Sequence, residues 1–150
     1  MLLAKNRKAL FNFEIIEKYT AGIILTGHEV KAIRERKVNF EGAFIKIKNQ
    51  EVFLTGLHIG KYSKQSQKTE ETEEKRPRKL LLNKKEIAEM SRQIQEKGKT
   101  IVPLAFVLSN NLVKLEIAVV RGRKKYEKKQ VAKGRQTDRD LQLERKRLRV

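Results

Sequence analysis

Apolar and polar residues alternate with a period of two in two long segments, and this pattern predicts β-strands. In "AFIKIKNQEVFLTGLHI", Ile45 and Ile47 alternate with lysines, the polar "NQE" predicts a turn, and a second apolar run follows. In "TIVPLAFVLSNNLVKLEIAVV", two apolar runs flank "SNN", and the second run alternates with Lys114 and Glu116. Each segment therefore predicts a β-hairpin.

Three further segments complete the predicted elements. "FNFEIIEKYTAGIILTG" contains two short apolar runs interrupted at residues 20–22, which predicts strands. In "HEVKAIRERK", Val30 and Ile33 lie three residues apart among basic residues, which predicts a short amphipathic helix. In "NKKEIAEMSRQIQEKGK", Asn83 and Glu86 have the spacing of a capping box, and Gly98 is expected to end the helix.

About six strands and two short helices in so short a chain favour a closed barrel. We therefore expect a mainly β fold over residues 1–120, a six-stranded antiparallel closed barrel related to the OB-fold. Residues 61–77, "KYSKQSQKTEETEEKRP", predict a mobile loop because only one of them is aromatic or aliphatic. Residues 121–150 lack apolar alternation, so we expect a basic tail that is disordered when free and able to become helical on a polyanion.

The net charge of the chain indicates which class of partner it binds. The chain of 150 residues carries a net charge of +18, and residues 121–150 hold +9 of it, with thirteen Lys or Arg against four Asp or Glu. The positive charges repel one another, and a polyanion most readily relieves this repulsion. Nucleic acid is therefore the leading candidate partner. No apolar run approaches the ~20 residues of a membrane span, and no signal-peptide pattern is present, so we expect a cytoplasmic protein with no membrane partner.

The residue types that carry catalysis or metal binding are scarce. The chain has no Cys, which excludes disulfides and thiolate metal sites, and its two His residues lack ligand spacing. No phosphate-binding glycine loop or nucleophile motif is present. We therefore expect no cofactor, no metal and no enzymatic activity. The alternative is a nuclease using Glu70 to Glu74, which lie in the predicted loop, where ligands would be poorly held.

Basic residues cluster in three places: "KNRK" at 5–8, "KRPRK" at 75–79 with "NKK" just after it, and the tail. Lysine and arginine side chains bind phosphates, so these groups predict an RNA-binding surface, to which the helical Lys31 is added. The candidates from these groups are Arg7, Lys8, Lys31, Arg76, Arg78, Lys79, Lys84, Arg121, Arg123, Lys124 and Lys125.

Three leucines, Leu80 to Leu82, join the second basic run to the helix cap. All three could be core residues. Alternatively, one could remain exposed and pack against an unstacked base of a folded RNA. Because only 6% of residues are aromatic, extended base stacking along a single strand is not expected.

Several segments together resemble the small protein B (SmpB) family, the bacterial partners of transfer-messenger RNA in trans-translation. These segments are "NRKA" at 6–9, "AGIILTGHEVKAIR" at 21–34, "RPRKLLLNKKEI" at 76–87, "EKGKTIVPL" at 96–104 and "VRGRKKYEKK" at 120–129. The resemblance implies an OB-related barrel that binds the tRNA-like domain of that RNA. Its binding face would include Asn6, Arg7, Gly22, Leu81, Asn83 and Lys114.

The resemblance also implies a role for the tail. In the family, the tail becomes helical on the stalled 70S ribosome and occupies the empty message channel near the decoding centre, in a delivery complex with elongation factor Tu. The residues expected at the decoding site are Tyr126, Glu127, Lys128, Lys129, Lys133, Arg135 and Arg139. Thr20 replaces an acidic residue usual in the family, and Glu127 and Lys129 replace an Asp and an Arg. A ribosomal or initiation-factor-like OB protein that binds small-subunit RNA is the remaining alternative.

Overall fold

The computed structural model describes residues 1–60 and 74–122, and these residues are mainly β-strand. The strands are β1 (Leu2–Lys5), β2 (Phe13–Ile23), β3 (Val38–Asn39), β4 (Phe44–Lys48), β5 (Glu51–Thr55), β6 (His58–Ile59), β7 (Arg78–Leu81), β8 (Lys99–Ser109) and β9 (Leu112–Gly122). The helices are α1 (Arg7–Asn12), α2 (Gly27–Arg34) and α3 (Lys84–Gln93).

Seven of these strands form one antiparallel sheet in the order β1-β8-β9-β2-β7-β5-β4, and β3 pairs with β6 in a second sheet. The prediction of a mainly β, antiparallel fold is confirmed. The closed six-stranded barrel is not found: β4 lies close to β8, but within residues 1–60 and 74–122 no ladder joins them. Instead, β1 pairs with β8 along Ala105 to Val107 and occupies part of the edge that closure would need.

Strand β2 runs unbroken where the sequence predicted an interruption. Thr20 pairs with Glu116 and Gly22 pairs with Lys114, so the ladder with β9 continues through the small residues. Between them, Ala21 is fully buried. Glycine weakens a strand in isolation, but cross-strand pairing in a central position overrides that preference.

Both predicted hairpins are confirmed. Asn49 and Gln50 form the turn between β4 and β5, and Asn110 and Asn111 form the turn between β8 and β9. All four residues have positive φ, between 51° and 64°. This backbone conformation suits tight hairpins, and asparagine tolerates it better than most residues.

The two predicted helices are also present, each with a capping box. In α3, the Asn83 carboxamide accepts a bond from the Glu86 N–H at 2.8 Å. The helix ends at Gln93, earlier than predicted, and Gly98 instead takes φ +87° just before β8. Helix α1 was not predicted, because its six residues are too few to show a clear period.

Two apolar clusters lie on opposite faces of the sheet. The larger one lies on the inner face of the sheet and includes Ile33, Phe106, Leu115 and Met90 of α3. The smaller one lies beneath α1, where Ala9 packs against Val102, Leu104, Ala118 and Val120. Helix α1 thus covers one end of the outer face, and other positions on that face are exposed.

None of the helices in residues 1–60 and 74–122 is long and apolar enough to cross a membrane. The predicted loop lies outside the described residues over 61–73, and the predicted tail lies outside them from residue 123 onward. The expectations for these segments, including the boundary between fold and tail, remain predictions.

Candidate nucleic-acid interface

Three predicted site residues that are distant in sequence lie in one row across three neighbouring strands. Gly22 of β2 is directly opposite Lys114 of β9 on one side and Leu81 of β7 on the other. Residues directly opposite each other in antiparallel strands point to the same face of the sheet. Lys114 and Leu81 therefore flank Gly22 on the outer face.

Gly22 gives this row its shape. A Cβ atom added at Gly22 would lie 3.2 Å from the Cβ of Leu81, closer than a comfortable contact. The missing side chain therefore lets β7 carry Leu81 close to the backbone of β2. The row offers a shallow apolar site between a leucine and a lysine.

The exposure of the leucine run is now decided. Leu81 is 53% exposed, Leu80 is 2% exposed, and Leu82 is half-buried against the main core. The alternative in which all three leucines are core is wrong, because alternation along β7 turns Leu81 outward. Ile24, also 50% exposed, donates its N–H to the Lys79 carbonyl at 3.0 Å and lies beside the same strand.

Charged and polar residues extend the row at the end of β7. Lys79 lies two residues before Leu81 on the same face, and its Nζ is 3.3 Å from a Glu51 carboxylate oxygen. Asn83 follows as the N-cap of α3, with its side-chain oxygen committed to the cap, and the exposed Lys84 is the first residue of the helix. These residues surround Leu81 with groups able to bind phosphates.

Arg78 requires a correction, because the sequence placed it on the RNA-binding surface. Its side chain is 0% exposed and entirely engaged within the fold. Nε donates to Glu29 at 2.7 Å, Nη1 donates to the Leu57 carbonyl at 2.7 Å, and Nη2 donates to the Glu74 carbonyl at 2.7 Å. The period of two turns Arg78 inward while Lys79 points outward, so Arg78 cannot contact a phosphate.

Arg76 is drawn into the same cluster through an ion pair with Glu29. Burial alone would raise the pKa of Glu29. The Thr26 backbone N–H and the guanidinium groups of Arg78 and Arg76 outweigh burial and lower the pKa below its ordinary value. Glu29 is therefore ionised at neutral pH and joins α2 to β7.

Of the N-terminal candidates, one is buried within the fold and two are exposed on the surface. Asn6 is buried: its Nδ2 donates to the Pro103 carbonyl at 2.8 Å, and its Oδ1 accepts from the Ala9 N–H at 3.2 Å. Asn6 thus fixes α1 to β8, and direct RNA contact would compete with these bonds. Arg7 is exposed beside an open cleft of about 290 Å³, and Lys8, also exposed, forms a loose ion pair with Glu41 at 3.8 Å.

The remaining candidates are partly described. Lys31 is exposed in the last turn of α2, and Arg121 forms an ion pair with Glu14 at the end of β9. The other tail candidates, namely Arg123, Lys124, Lys125, Tyr126, Glu127, Lys128, Lys129, Lys133, Arg135 and Arg139, lie outside the described residues. Of the rival nuclease cluster, only Glu74 is described, and its carboxylate is 2.6 Å from His58 Nε2.

The outward residues of β4 and β5 are not recognisable as site residues from the sequence, because only strand pairing places them next to β7. Lys79 is opposite Phe53, and Phe53 is opposite Lys46. The alternation in "FIKIK" and "EVFLT" was the available signal in the sequence. It places Lys46 on the other face of its strand from Ile45, and Phe53 on the other face of its strand from Val52. What the alternation does not give is the order of strands.

Comparison with known proteins supplies independent information. The family model described as "SmpB protein" matches residues 3–147. An SsrA-binding protein of Treponema denticola is 42% identical over 143 residues, which cover 95% of this chain and 92% of that protein. An SsrA-binding protein of Mycoplasma mobile is 47% identical over 128 residues, covering 85% of this chain and 87% of that protein.

A solved structure is similar in fold as well as in sequence. It is described as "tmRNA-SmpB: a journey to the center of the bacterial ribosome" and aligns with a TM-score of 0.68 at 38% identity. The alignment covers 81% of this chain and 84% of that chain.

Proposed function

The chain belongs to the SmpB family, and we propose that it is a non-enzymatic protein that binds transfer-messenger RNA and acts with it in trans-translation on stalled ribosomes. Its relatives are SsrA-binding proteins, and the similar solved structure is described with this RNA and the bacterial ribosome. The net charge of +18 is suited to such a partner, because RNA binding by a basic protein releases counterions.

The row of Lys114, Gly22 and Leu81 is the observation that carries this proposal. An exposed leucine beside a bare glycine offers an apolar surface to an unstacked base, and the lysine offers a charge to a phosphate. Leu81 is 53% exposed, and the 50% exposed Ile24 lies against the same strand, so the exposed apolar surface extends beyond one side chain. We propose that this row contacts the tRNA-like domain, with Lys79, Asn83 and Lys84 at its margin.

The finer parts of the proposal concern the rest of the basic surface and the tail. Arg7, Lys8 and Lys31 are exposed basic residues, and the tail carries half of the net charge. We propose that the tail enters the message channel near the decoding centre, in a cytoplasmic delivery complex that includes elongation factor Tu. The tail's charge of +9 supports this, since a channel lined by RNA and emptied of message is strongly negative.

The test of the RNA-binding row uses Leu81→Ala in the full chain, with Ile16→Ala as the matched control. Both side chains are exposed aliphatics on the sheet, but Ile16 lies in the first half of β2. We expect Leu81→Ala to weaken binding of the transcribed tRNA-like domain several-fold without lowering the melting temperature, whereas Ile16→Ala leaves binding unchanged. Equal binding by all three proteins would contradict the row, and a preference for small-subunit RNA would favour an initiation-factor-like protein.

The tail is tested separately by deleting the chain after Lys125. The deletion protein should fold and still bind the tRNA-like domain, because the described strands and the Leu81 row are intact. It should fail to tag nascent chains on a message without a stop codon in a reconstituted translation system. Normal tagging by the deletion protein would overturn the channel role of the tail.

A further inference from the structure

A second outward row lies beside the Leu81 row, on strands β4, β5 and β7. Phe53 of β5 is directly opposite Lys46 of β4 on one side and Lys79 of β7 on the other. The neighbours of Phe53 along its strand, Val52 and Leu54, are both buried in the core. The half-buried Phe53 ring therefore points to the outer face, between two exposed lysines.

The spacing of this row suits a nucleotide. Side chains directly opposite in antiparallel strands have Cβ atoms about 4.5–5.5 Å apart, so the three residues span roughly 10 Å. An aromatic face can stack on a base or a ribose, and a lysine on each side can reach a phosphate. A lysine–phenylalanine–lysine row thus combines the two kinds of contact that an unpaired nucleotide requires.

The second row is continuous with the first. Lys79 and Leu81 are two residues apart on β7, so their rows lie about 6.6 Å apart along the strand. Ile24, half-exposed, is bonded through its backbone to Lys79 and fills the same outer face. An RNA that contacts Leu81 is therefore within one nucleotide's reach of Phe53.

The lysines of this row are available for an external anion. Lys46 forms no ion pair with any residue of 1–60 or 74–122. Lys79 faces Glu51 at 3.3 Å, but both side chains are well exposed, so the pair is screened by solvent and easily replaced. In contrast, Arg78 on the same strand is buried, and all three of its guanidinium nitrogens donate to groups within the fold.

We propose that Lys46, Phe53 and Lys79 form a second contact for the same RNA. One unpaired nucleotide stacks on the Phe53 ring, and its flanking phosphates bind Lys46 and Lys79. This inference rests on the proposed function, because it takes the RNA to be the one that the Leu81 row contacts. It adds Phe53 and Lys46 to the interface and assigns base stacking to one aromatic residue.

The experiment measures binding of full-length protein to the transcribed tRNA-like domain and to an unrelated hairpin RNA of equal length. Phe53→Leu removes the ring but keeps an apolar side chain, and we expect it to weaken binding to the tRNA-like domain roughly fivefold or more. Phe53→Tyr keeps the ring and should restore affinity close to that of the wild type. If Phe53 has only a structural role, Phe53→Leu should lower the melting temperature together with the affinity. If the ring stacks on a base, Phe53→Leu should lower the affinity at an unchanged melting temperature, and Phe53→Tyr should retain it.

The two lysines are tested together by Lys46→Gln with Lys79→Gln. The matched control is Arg92→Gln with Lys97→Gln, two exposed basic residues, of which Arg92 lies in the last turn of α3 and Lys97 lies between α3 and β8. The row variant should lower the log–log salt slope of binding by about two and weaken binding more than the control does. Equal effects of the two variants would show unspecific attraction and would overturn the row.

The outcomes separate this inference from the proposed function. If the wild-type chain binds the tRNA-like domain no more tightly than the hairpin, the proposed function fails regardless of Phe53. If the wild type discriminates between the two RNAs while Phe53→Leu binds as tightly as wild type, the proposed function stands and the second row is wrong.

Discussion

Residues 76–82, "RPRKLLL", divide between two regions of opposite character. Arg78 and Leu80 are buried, Arg78 in a cluster with Glu29 and Arg76, whereas Lys79 and Leu81 lie on the outer face. The same types of side chain thus have different roles one residue apart. A basic run on a β-strand is divided by the pleat, and only half of its charge is available to a ligand.

The electrostatics of the two regions differ accordingly. Removing one partner from a buried ion pair leaves a charge and its acceptors without compensation, which is costly. An exposed lysine interacts in high dielectric and contributes little to folding. The buried cluster should therefore act on stability, and the outer rows should act on RNA binding.

The largest expected effect is that of Arg78→Met. This change removes the bonds to Glu29 and to the carbonyls of Leu57 and Glu74, and it should lower the free energy of unfolding by about 3–5 kcal/mol. Lys79→Gln, one residue away, should change it by less than about 1 kcal/mol. Urea unfolding followed by circular dichroism measures both, and similar losses for the two variants would show that the division is wrong.

The pH dependence of stability also distinguishes the buried Glu29 cluster from the exposed outer face. Because the pKa of Glu29 is lowered in the folded state from about 4.5, its ionised form stabilises the fold above that pH. This contribution to stability is lost as the pH falls below about 4.5 and through the lower pKa that Glu29 has in the folded state. We expect Glu29→Gln to be less stable at pH 7 and to lose less stability than wild type between pH 5 and pH 3.

Urea midpoints at several pH values measure this difference. Glu51→Gln supplies the control, because the exposed pair of Glu51 with Lys79 is screened by solvent and contributes little to stability. Parallel profiles for wild type and Glu29→Gln would mean that the Glu29 cluster contributes no pH-dependent stability.

A substitution at Gly22 should have a smaller effect, because it changes only how closely Leu81 approaches the backbone of β2. Gly22→Ala places a Cβ 3.2 Å from that of Leu81, so the leucine must shift by a few tenths of an ångström. We expect several-fold weaker RNA binding with a small change in melting temperature. In Gly22→Ala combined with Leu81→Ala, the second change should cost less than it does alone, because both disturb one contact.

Much of the fold was predictable, and the errors have definite causes. Local patterns correctly predicted the two hairpins, α2 and the α3 capping box, because turn residues and period depend on neighbours in sequence. The closure of the sheet and the short strands β1 and β7 depend on pairing between distant segments, which alternation does not specify. Arg78 was misassigned to the surface because a side chain's type does not reveal which buried carbonyls lie near it. Asn6 was expected on the binding face from the family resemblance, and it is buried against the Pro103 carbonyl.

The smallest expected effect is the most direct test of the division within β7. Each lysine that neutralises a phosphate contributes about one unit to the log–log salt slope of binding. Lys79→Gln should therefore lower the slope for the tRNA-like domain by about one. Arg78→Lys keeps the charge at a buried position and should leave the slope unchanged when binding is measured well below its melting temperature. A reduced slope for Arg78→Lys, with Lys79→Gln unaffected, would mean that RNA contacts the inward face of β7.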